Sequence, residues 1–565
     1  MNSYLIRNEN MRDKLKIGVL LNDFFIPYWE YQIIDHIKNS DFAEIVLVII
    51  NISVCSSASG KKRRIATGIA KLIEKADRLA FKTSVDYKLK KDTTDTLKNI
   101  RRFDWHPGHD SAGSDLNGPE VSEIQDLNPD IILKFGCHNL EGDILKIPKY
   151  GIWSYSIDSC KDINSPDAGF WEVVRKIPVT NSTLGILRTD KGGIDVIFNS
   201  RESTCQYSIN INRDRIAWRS SMFAPRIING LYKYGEDYLN AMKDRFRSAR
   251  YISERSLSPL SFADAAGSLL RYFGVVAKSI LKKLLFTDAF RWHLLFDIND
   301  GSELYSSSYG SFRKLSSPAE IFWADPFVIA EDDSYYIFVE EFIYKKDRAH
   351  ISVLKLDKEG NFLGSERIIE RPYHMSYPFI FKMDKTYYMI PETCKNETIE
   401  LYKCTEFPDK WEFERNIMEN IYAVDTTLFH HNDKWWLFTA VDQTANVSGC
   451  STELFLFFSD DIFSGRWESH PLNPIVSDIS TARPAGNLFI QDGKIYRPSQ
   501  NCSGRYGIGF NINLVTKLTE NEYEETLINE VKPLWNKKLK GTHTINFDKD
   551  FTVIDAYSFR KRISI

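Results

Sequence analysis

Cysteine is sparse in this 565-residue chain and follows no pattern. Its eight cysteines (Cys55, Cys137, Cys160, Cys205, Cys394, Cys404, Cys450 and Cys502) form no CxxC pair and no Cys/His ligand spacing, which argues against a zinc site and a disulfide scaffold. No metal is expected. Long apolar runs are absent as well: no segment reaches the length of a membrane helix, and the opening "MNSYLIRNENMRDKLK" lacks the apolar core of a signal peptide. A cytoplasmic location is therefore expected. Net charge is only −3, so the whole-chain balance gives no reason to expect a nucleic-acid partner. What is present is the composition of a folded protein, 43% hydrophobic and 26% charged, in a chain too long for one core. Two domains are the expectation.

Apolar strands alternate with helical stretches through residues 1–235. "LKIGVLLND" (15–23), "AEIVLVIINIS" (43–53) and "PDIILKFG" (129–136) are runs of the kind buried in parallel sheets. The segment reads as a doubly wound α/β domain, whose ligands bind beyond the carboxyl ends of the strands, where "KYGIWSYSIDS" (149–159) falls. Residues 236–290 read as a helical connection. Within it, "GSLLRYFGVVAKSILKKLLF" (267–286) interleaves apolar residues at helical spacing with Arg271, Lys278, Lys282 and Lys283. That pattern fits a helix packed between domains, or one lying on an anionic membrane surface with Lys61, Lys62, Arg63 and Arg64 as a second basic cluster.

After residue 290 the pattern changes to short strands and a repeat emerges. "DPFVIAEDDSYYIF" (325–338), "YPFIFKMDKTYYMI" (377–390), "DTTLFHHNDKWWLF" (425–438), "AGNLFIQDGKIYRP" (485–498) and "GTHTINFDKDFTVI" (541–554) align without gaps. Each is an apolar strand, a tight polar turn and an aromatic strand, recurring every 48 to 60 residues. Periods of that size with several strands per unit predict a five-bladed β-propeller over 291–565, with "WHLLFDI" (292–298) closing the ring. The 12 Trp and 27 Tyr concentrate here, and aromatic faces suit both sugar rings and all-β cores.

The run "LNPDIILKFGCHNLEGDILKIPKYGIWSYSIDS" (127–159) resembles the formyltransferase family, which moves a formyl group from 10-formyltetrahydrofolate to an amine. The resemblance implies an Asn that polarises the formyl carbonyl and a His and Asp that manage the amine proton. Here Ser154 stands at the Asn position and Ser156 at the His position, while Asp195 in "KGGIDVI" fits the third residue. A serine cannot take that proton without a base beside it, and His138 is the only nearby imidazole. The domain therefore reads as formyltransferase-like with formyl transfer lost. No cofactor is named by the sequence, and 10-formyltetrahydrofolate lacks the groups that would use it.

The propeller resembles the N-terminal domain of plant glucosamine inositolphosphorylceramide transferases through "WADPFVI", "HMSYPFIF", "YYMIPET", "LYKCTEFPDKW" and "RPSQNCSGRYG". More distantly its blades look like those of arabinanases and β-xylosidases. That second resemblance implies a blade-one Asp as base, a blade-three Asp that tunes the acid, and a blade-four Glu as acid. Asp325 and Asp425 match the first two, but "TARPAGNLF" places Arg483 where the Glu would lie, so ordinary glycoside hydrolysis is not expected. A guanidinium beside two carboxylates suits a phosphate or carboxylate on the ligand. His374, Glu392, Arg497, Gln500 and His543 are placed at the same axial end by the register, as ligand contacts or as bonds between blades.

The leading expectation is a carbohydrate-active protein of surface-polysaccharide or glycolipid biosynthesis. Its propeller would bind a glycan, nucleotide sugar or sugar phosphate and transfer a group to it. The alternatives are a non-catalytic glycan-binding scaffold, an N-formyltransferase acting on an amino sugar nucleotide, and a glycosidase.

Overall fold

A computed structural model describes residues 13–51, 73–81, 86, 89–105, 114–115, 119–136, 140–157, 163, 168–188, 193–247, 262–285, 290–299, 309–444 and 453–559. His138, Cys55, Cys137, Cys160, Cys450 and the cluster Lys61 to Arg64 lie outside the described residues. Contacts divide the chain into two units, one over 7–279 and one dominated by 280–565.

The first unit is built on a seven-stranded sheet. Its strands are β1 (Leu15–Leu21), β2 (Ala43–Asn51), β3 (Arg101–Trp105), β4 (Ile131–Lys134), β5 (Ile152–Ile157), β6 (Val179–Leu187) and β7 (Ile194–Ser203). The order is β7-β6-β5-β4-β1-β2-β3. The five strands from β5 to β3 run parallel, and the β6–β7 hairpin adds antiparallel at one edge. The fully buried β-branched runs of β1, β2 and β4 are what a sheet covered on both faces requires. The helices include α1 (Tyr28–Lys38), α2 (Ile209–Ser220), α3 (Phe223–Tyr234), α4 (Glu236–Arg245) and α5 (Phe262–Leu285). Ser208 caps α2 by accepting from the Ile211 N–H at 3.2 Å, satisfying one of the free donors of the first turn. Buried Arg219 of α2 pairs with buried Glu202 of β7 at 2.9 Å. Both helices of the connecting segment form and pack on this unit: α4 buries Tyr238, Leu239 and Met242, and α5 seats Tyr272.

The second unit contains five four-stranded antiparallel sheets, and these are the blades of a propeller. The innermost strands of blades one to three are Ile321–Glu331, Ser376–Met383 and Ala423–His431. Those of blades four and five are Phe489–Gln491 and Ile545–Asp548. Blade five closes the ring by mixing chain ends: Ile545–Asp548 and Phe551–Phe559 pair with Phe290–Ile298 and Arg313–Leu315 from the start of the unit. The strand expected from "WHLLFDI" lies there. The polar turns are two-residue hairpins, and Asp332-Asp333, Asn432-Asp433 and Asp492-Gly493 have both residues left-handed, the geometry that matches strand twist.

In blades one to three the innermost strand also carries a bulge at the first aligned residue. The ladder breaks between Ala324 and Phe327, Ser376 and Phe379, and Val424 and Thr427. Asp325, Tyr377 and Asp425 sit there with φ of 49°, 42° and 53°. A left-handed conformation is uncommon for Asp and a real outlier for Tyr. Tyr377 is fully buried, packs edge-on against Phe327, and carries its hydroxyl across the axis to Thr427 (2.9 Å) and the Gly486 N–H (2.7 Å). It ties four blades together. Gly486 is required at that meeting point, since a Cβ there would stand 2.0 Å from the Ile545 carbonyl oxygen.

Candidate functional site

The bulges turn Asp325 and Asp425 into one end of the propeller axis, where side chains from all five blades meet. Asp425, 1% exposed, accepts from Arg483 Nε and from Gln500 Nε2 at 2.7 Å. Arg483 Nη2 also lies 3.6 Å from Glu392 Oε2, so one guanidinium spans two carboxyl groups. Glu392 receives the Cys394 thiol at 3.1 Å on its other oxygen.

Asp325 belongs to a second chain of charges. Its own N–H donates to Asp555 Oδ2 at 3.1 Å, and its Oδ2 accepts from the Tyr377 N–H at 3.3 Å. His543 stands between two carboxylates, with Nδ1 2.5 Å from Asp555 Oδ2 and Nε2 3.3 Å from Asp325 Oδ1. Its ring is stacked on Trp292 at 4.0 Å. Asp555 also accepts the Thr544 hydroxyl at 2.7 Å and the His543 N–H at 2.9 Å. A fifth carboxyl, Glu340, faces His374 Nε2 at 3.4 Å, while His374 Nδ1 accepts from the Ala349 N–H. That second bond fixes the neutral tautomer with the proton on Nε2.

Packing five carboxyl groups with one guanidinium into a buried mouth separates their protonation states. Burial raises Glu392 to about 8, with the charge of Asp425 next in effect and Arg483 opposing. Glu340 is held well above the carboxylate range by burial and by Asp325 and Glu392. Burial lifts Asp325 to about 7, pulled back by His543 and pushed on by Asp425 and Asp555. Burial opposes the charge on His543, but Asp555 and Asp325 outweigh it and its pKa is raised. Burial would raise Asp555, yet His543 outweighs it and holds it low. Burial lowers His374 to about 4, so this imidazole is neutral. The mouth thus holds one ion pair (His543 with Asp555), one guanidinium–carboxylate pair (Arg483 with Asp425), two neutral acids, and one carboxyl poised near neutrality. Such a set can donate a proton from one group while accepting one at another. Tyr506 stands beside them, its half-exposed ring over the Arg483 guanidinium at 5.1 Å and edge-on to His543.

Of the residues expected at this end, the structure brings together Asp325, Asp425, Glu392, Arg483, Gln500, His543 and His374. Arg497 is elsewhere: fully buried, it makes a fork to both oxygens of Glu525 (2.8 and 2.7 Å) and a bond to the Thr481 carbonyl. The reason is strand parity, since Arg497 and Gln500 are three apart on Lys494–Asn501 and must face opposite sides. Arg483 lies beside Asp425 and Glu392, so the structure has a guanidinium next to two carboxyl groups. Sequence reasoning missed Glu340, Asp555, Tyr377 and Tyr506. A signal for the first was available: Glu340, Glu392 and Gln500 each fall fifteen residues after the first aligned residue of their unit.

In the α/β unit the expected trio does not assemble. Ser154 pairs with Gly185 and Asp195 with Ile186, one row apart, so Ser154 and Asp195 face opposite sides of the sheet. Ser156 shares its hydroxyl with Thr183 across β5 and β6 at 2.5 Å. Asp195 has Arg188 Nη1 4.0 Å away. Ser154 lines a small cleft at the strand ends with Trp29, Lys134, Phe135, Gly136, Tyr155 and Ile163.

Residues 310–556 match the family described as glucosamine inositolphosphorylceramide transferase 1, N-terminal. The match reaches from blade one into blade five. Over 213 residues the chain is 36% identical to glucosamine inositolphosphorylceramide transferase 1 of Oryza sativa subsp. japonica, covering 37% of this chain and 28% of that protein. It is 30% identical over 218 residues to the protein of the same name from Arabidopsis thaliana, covering 38% and 28%. The chain spans less than a third of the length of these curated relatives. Among solved structures, it is similar to an exo-1,5-α-L-arabinanase from a bovine ruminal metagenomic library (17% identity, 43% of this chain, 90% of that chain, TM-score 0.30). It is also similar to the GH62 α-L-arabinofuranosidase catalytic domain of Coprinopsis cinerea (10% identity, 48% and 98%, TM-score 0.32).

Proposed function

We propose that the propeller is a carbohydrate-active module of glycolipid or surface-polysaccharide assembly, and that its axial mouth transfers a glycosyl group by general acid and base catalysis. One observation carries this reading: two buried carboxyl groups, Glu392 and Asp325, share one mouth with the Arg483–Asp425 pair and are raised to about 8 and about 7. Glu392 gives its proton to the leaving oxygen as the glycosyl C–O bond breaks. Asp325 takes the proton of the incoming hydroxyl as the new C–O bond forms, with His543, itself held charged by Asp555, stabilising its ionised form. Asp425 and Arg483 orient the acid, and Tyr506 offers a face to the sugar ring. Because Arg483 is paired internally, the glycosyl group is read as neutral rather than phosphorylated. The resemblance to the transferases named above supports the sugar and lipid connection. The α/β unit enters the proposal as a formyltransferase-like domain without formyl transfer.

The test is turnover. The protein is incubated with nucleotide sugars, polyprenyl- or ceramide-linked sugars and neutral oligosaccharides, and products are separated by mass. A new glycosylated or hydrolysed product that Glu392→Gln and Asp325→Asn both abolish supports the proposal. Binding of a sugar without any product in every combination would make the mouth a recognition site, and binding of none would remove it.

A further inference from the structure

Helix α5 uses one side to dock on its own domain. Leu269, Tyr272 and Val276 pack with Ile73, Phe170, Val173, Val174 and Ile209, and the Tyr272 hydroxyl donates to Asp77 Oδ1 at 3.1 Å. About a quarter turn away, Leu270, Phe273 and Leu281 are 74%, 49% and 55% exposed, with exposed Ala277 completing the row. These positions fall at i, i+3, i+7 and i+11, so they form one stripe along the helix. Exposed Arg271 and Lys278 border it, and the helix as a whole carries four basic residues against the single acid Asp264.

Isolated surface leucines need no explanation, but a continuous apolar row three turns long does. We propose that this face lies on an anionic lipid surface, with the apolar row at the acyl boundary and Arg271 and Lys278 against the head groups. Charge selects the occupant: a second copy of the helix would bring basic residues against basic residues, whereas anionic lipid neutralises them. A surface position also agrees with composition, since no helix among the described residues is long and apolar enough to cross a membrane. The proposal is independent of the sugar site.

The experiment is sedimentation of the full chain with vesicles of phosphatidylcholine mixed with phosphatidylglycerol, against phosphatidylcholine alone and no vesicles. The protein is expected to pellet with the anionic vesicles at low salt and to be released as salt is raised. Lys278→Glu should weaken the partition at least about fivefold, the loss of one basic residue's attraction. Leu270→Ser with Phe273→Ser should abolish it, with an unchanged melting temperature because both side chains are exposed. Glu392→Gln should pellet like the parent, which separates this proposal from the catalytic one. Recovery in the supernatant regardless of lipid overturns it. Equal pelleting on neutral vesicles also overturns it, and pelleting without vesicles assigns the row to self-association instead.

Discussion

Replacing Glu392 with Gln should stop the reaction and make the propeller more stable, and the stability gain should depend on pH. The native carboxyl titrates at about 8 against an ordinary 4.5, with burial as the main cause. In the unfolded chain Glu392 is ionised at pH 7, so folding must return a proton to it. At about 1.36 kcal/mol per pH unit over the interval from 4.5 to 7, that uptake costs about 3 kcal/mol. The cost is absent below the unfolded pKa, grows as pH rises, and levels off above about 8. Glutamine occupies the same space and stays neutral, so it avoids the cost. Thermal melting of parent and variant should coincide near pH 4.5 and separate by roughly 6–12 °C in the propeller transition at pH 7, using the usual scaling for a unit of this size. A variant that melts with the parent at both pH values would refute the buried-acid reasoning. One that melts below the parent at pH 7 would show that Glu392 is an ionised partner of Arg483.

Asp325 must be ionised to act as a base and Glu392 protonated to act as an acid, so turnover of the parent, followed across pH, should rise through about pH 7 and fall above about 8. Arg483→Met leaves Asp425 buried without its cation and should cost roughly 3–5 kcal/mol in chemical unfolding, together with sugar binding. Arg497→Met should cost a similar roughly 3–5 kcal/mol by stranding Glu525 yet leave sugar affinity unchanged; a loss of affinity would return Arg497 to the site. Ser156→Ala removes the partner of Thr183 and should destabilise by roughly 1–3 kcal/mol, and neither it nor the parent should move an isotope-labelled formyl group from 10-formyltetrahydrofolate.

The propeller was legible in the sequence because its repeat is local: a strand, a two-residue turn and a second strand lie within fourteen aligned positions, and five copies reinforce one another. The parallel sheet was legible from the fully buried runs of β1, β2 and β4. The site was only half legible. Asp325 and Asp425 stood out because they occupy the same aligned position, whereas Glu340 and Asp555 lie just beyond the fourteen aligned positions of their units and in none of the matching motifs. Tyr377 escaped notice because an aromatic at the start of an apolar strand reads as core; its hydroxyl, not its ring, joins the blades. Arg497 went astray because it lies three residues from Gln500, at the parity that turns its side chain to the other face of the strand, and Asp195 lies one row away from Ser154, which likewise turns the two to opposite faces of their sheet.

The propeller does not need an acidic, left-handed residue at the head of each unit. Blades four and five carry Ala485 and Gly541 at that aligned position, and the ring closes through them. In blades one and three the same position holds Asp325 and Asp425, each with φ near 50° and each less than 5% exposed. Backbone strain of this kind costs of order 1 kcal/mol or more at each site, and a buried carboxyl costs more unless it is paired or protonated. The surroundings supply both remedies at once: Arg483 and Gln500 for Asp425, and His543 for Asp325, whose neighbour Asp555 is satisfied by four donors including the Asp325 N–H. Tyr377 of blade two shares the left-handed backbone and joins the blades through its hydroxyl, so what blades one and three add is not strain but buried charge with its compensating partners. That charge lies in the same mouth as Glu392, whose pKa burial raises to about 8, and a buried set of carboxyl groups with separated protonation states is what the proposed acid and base chemistry requires.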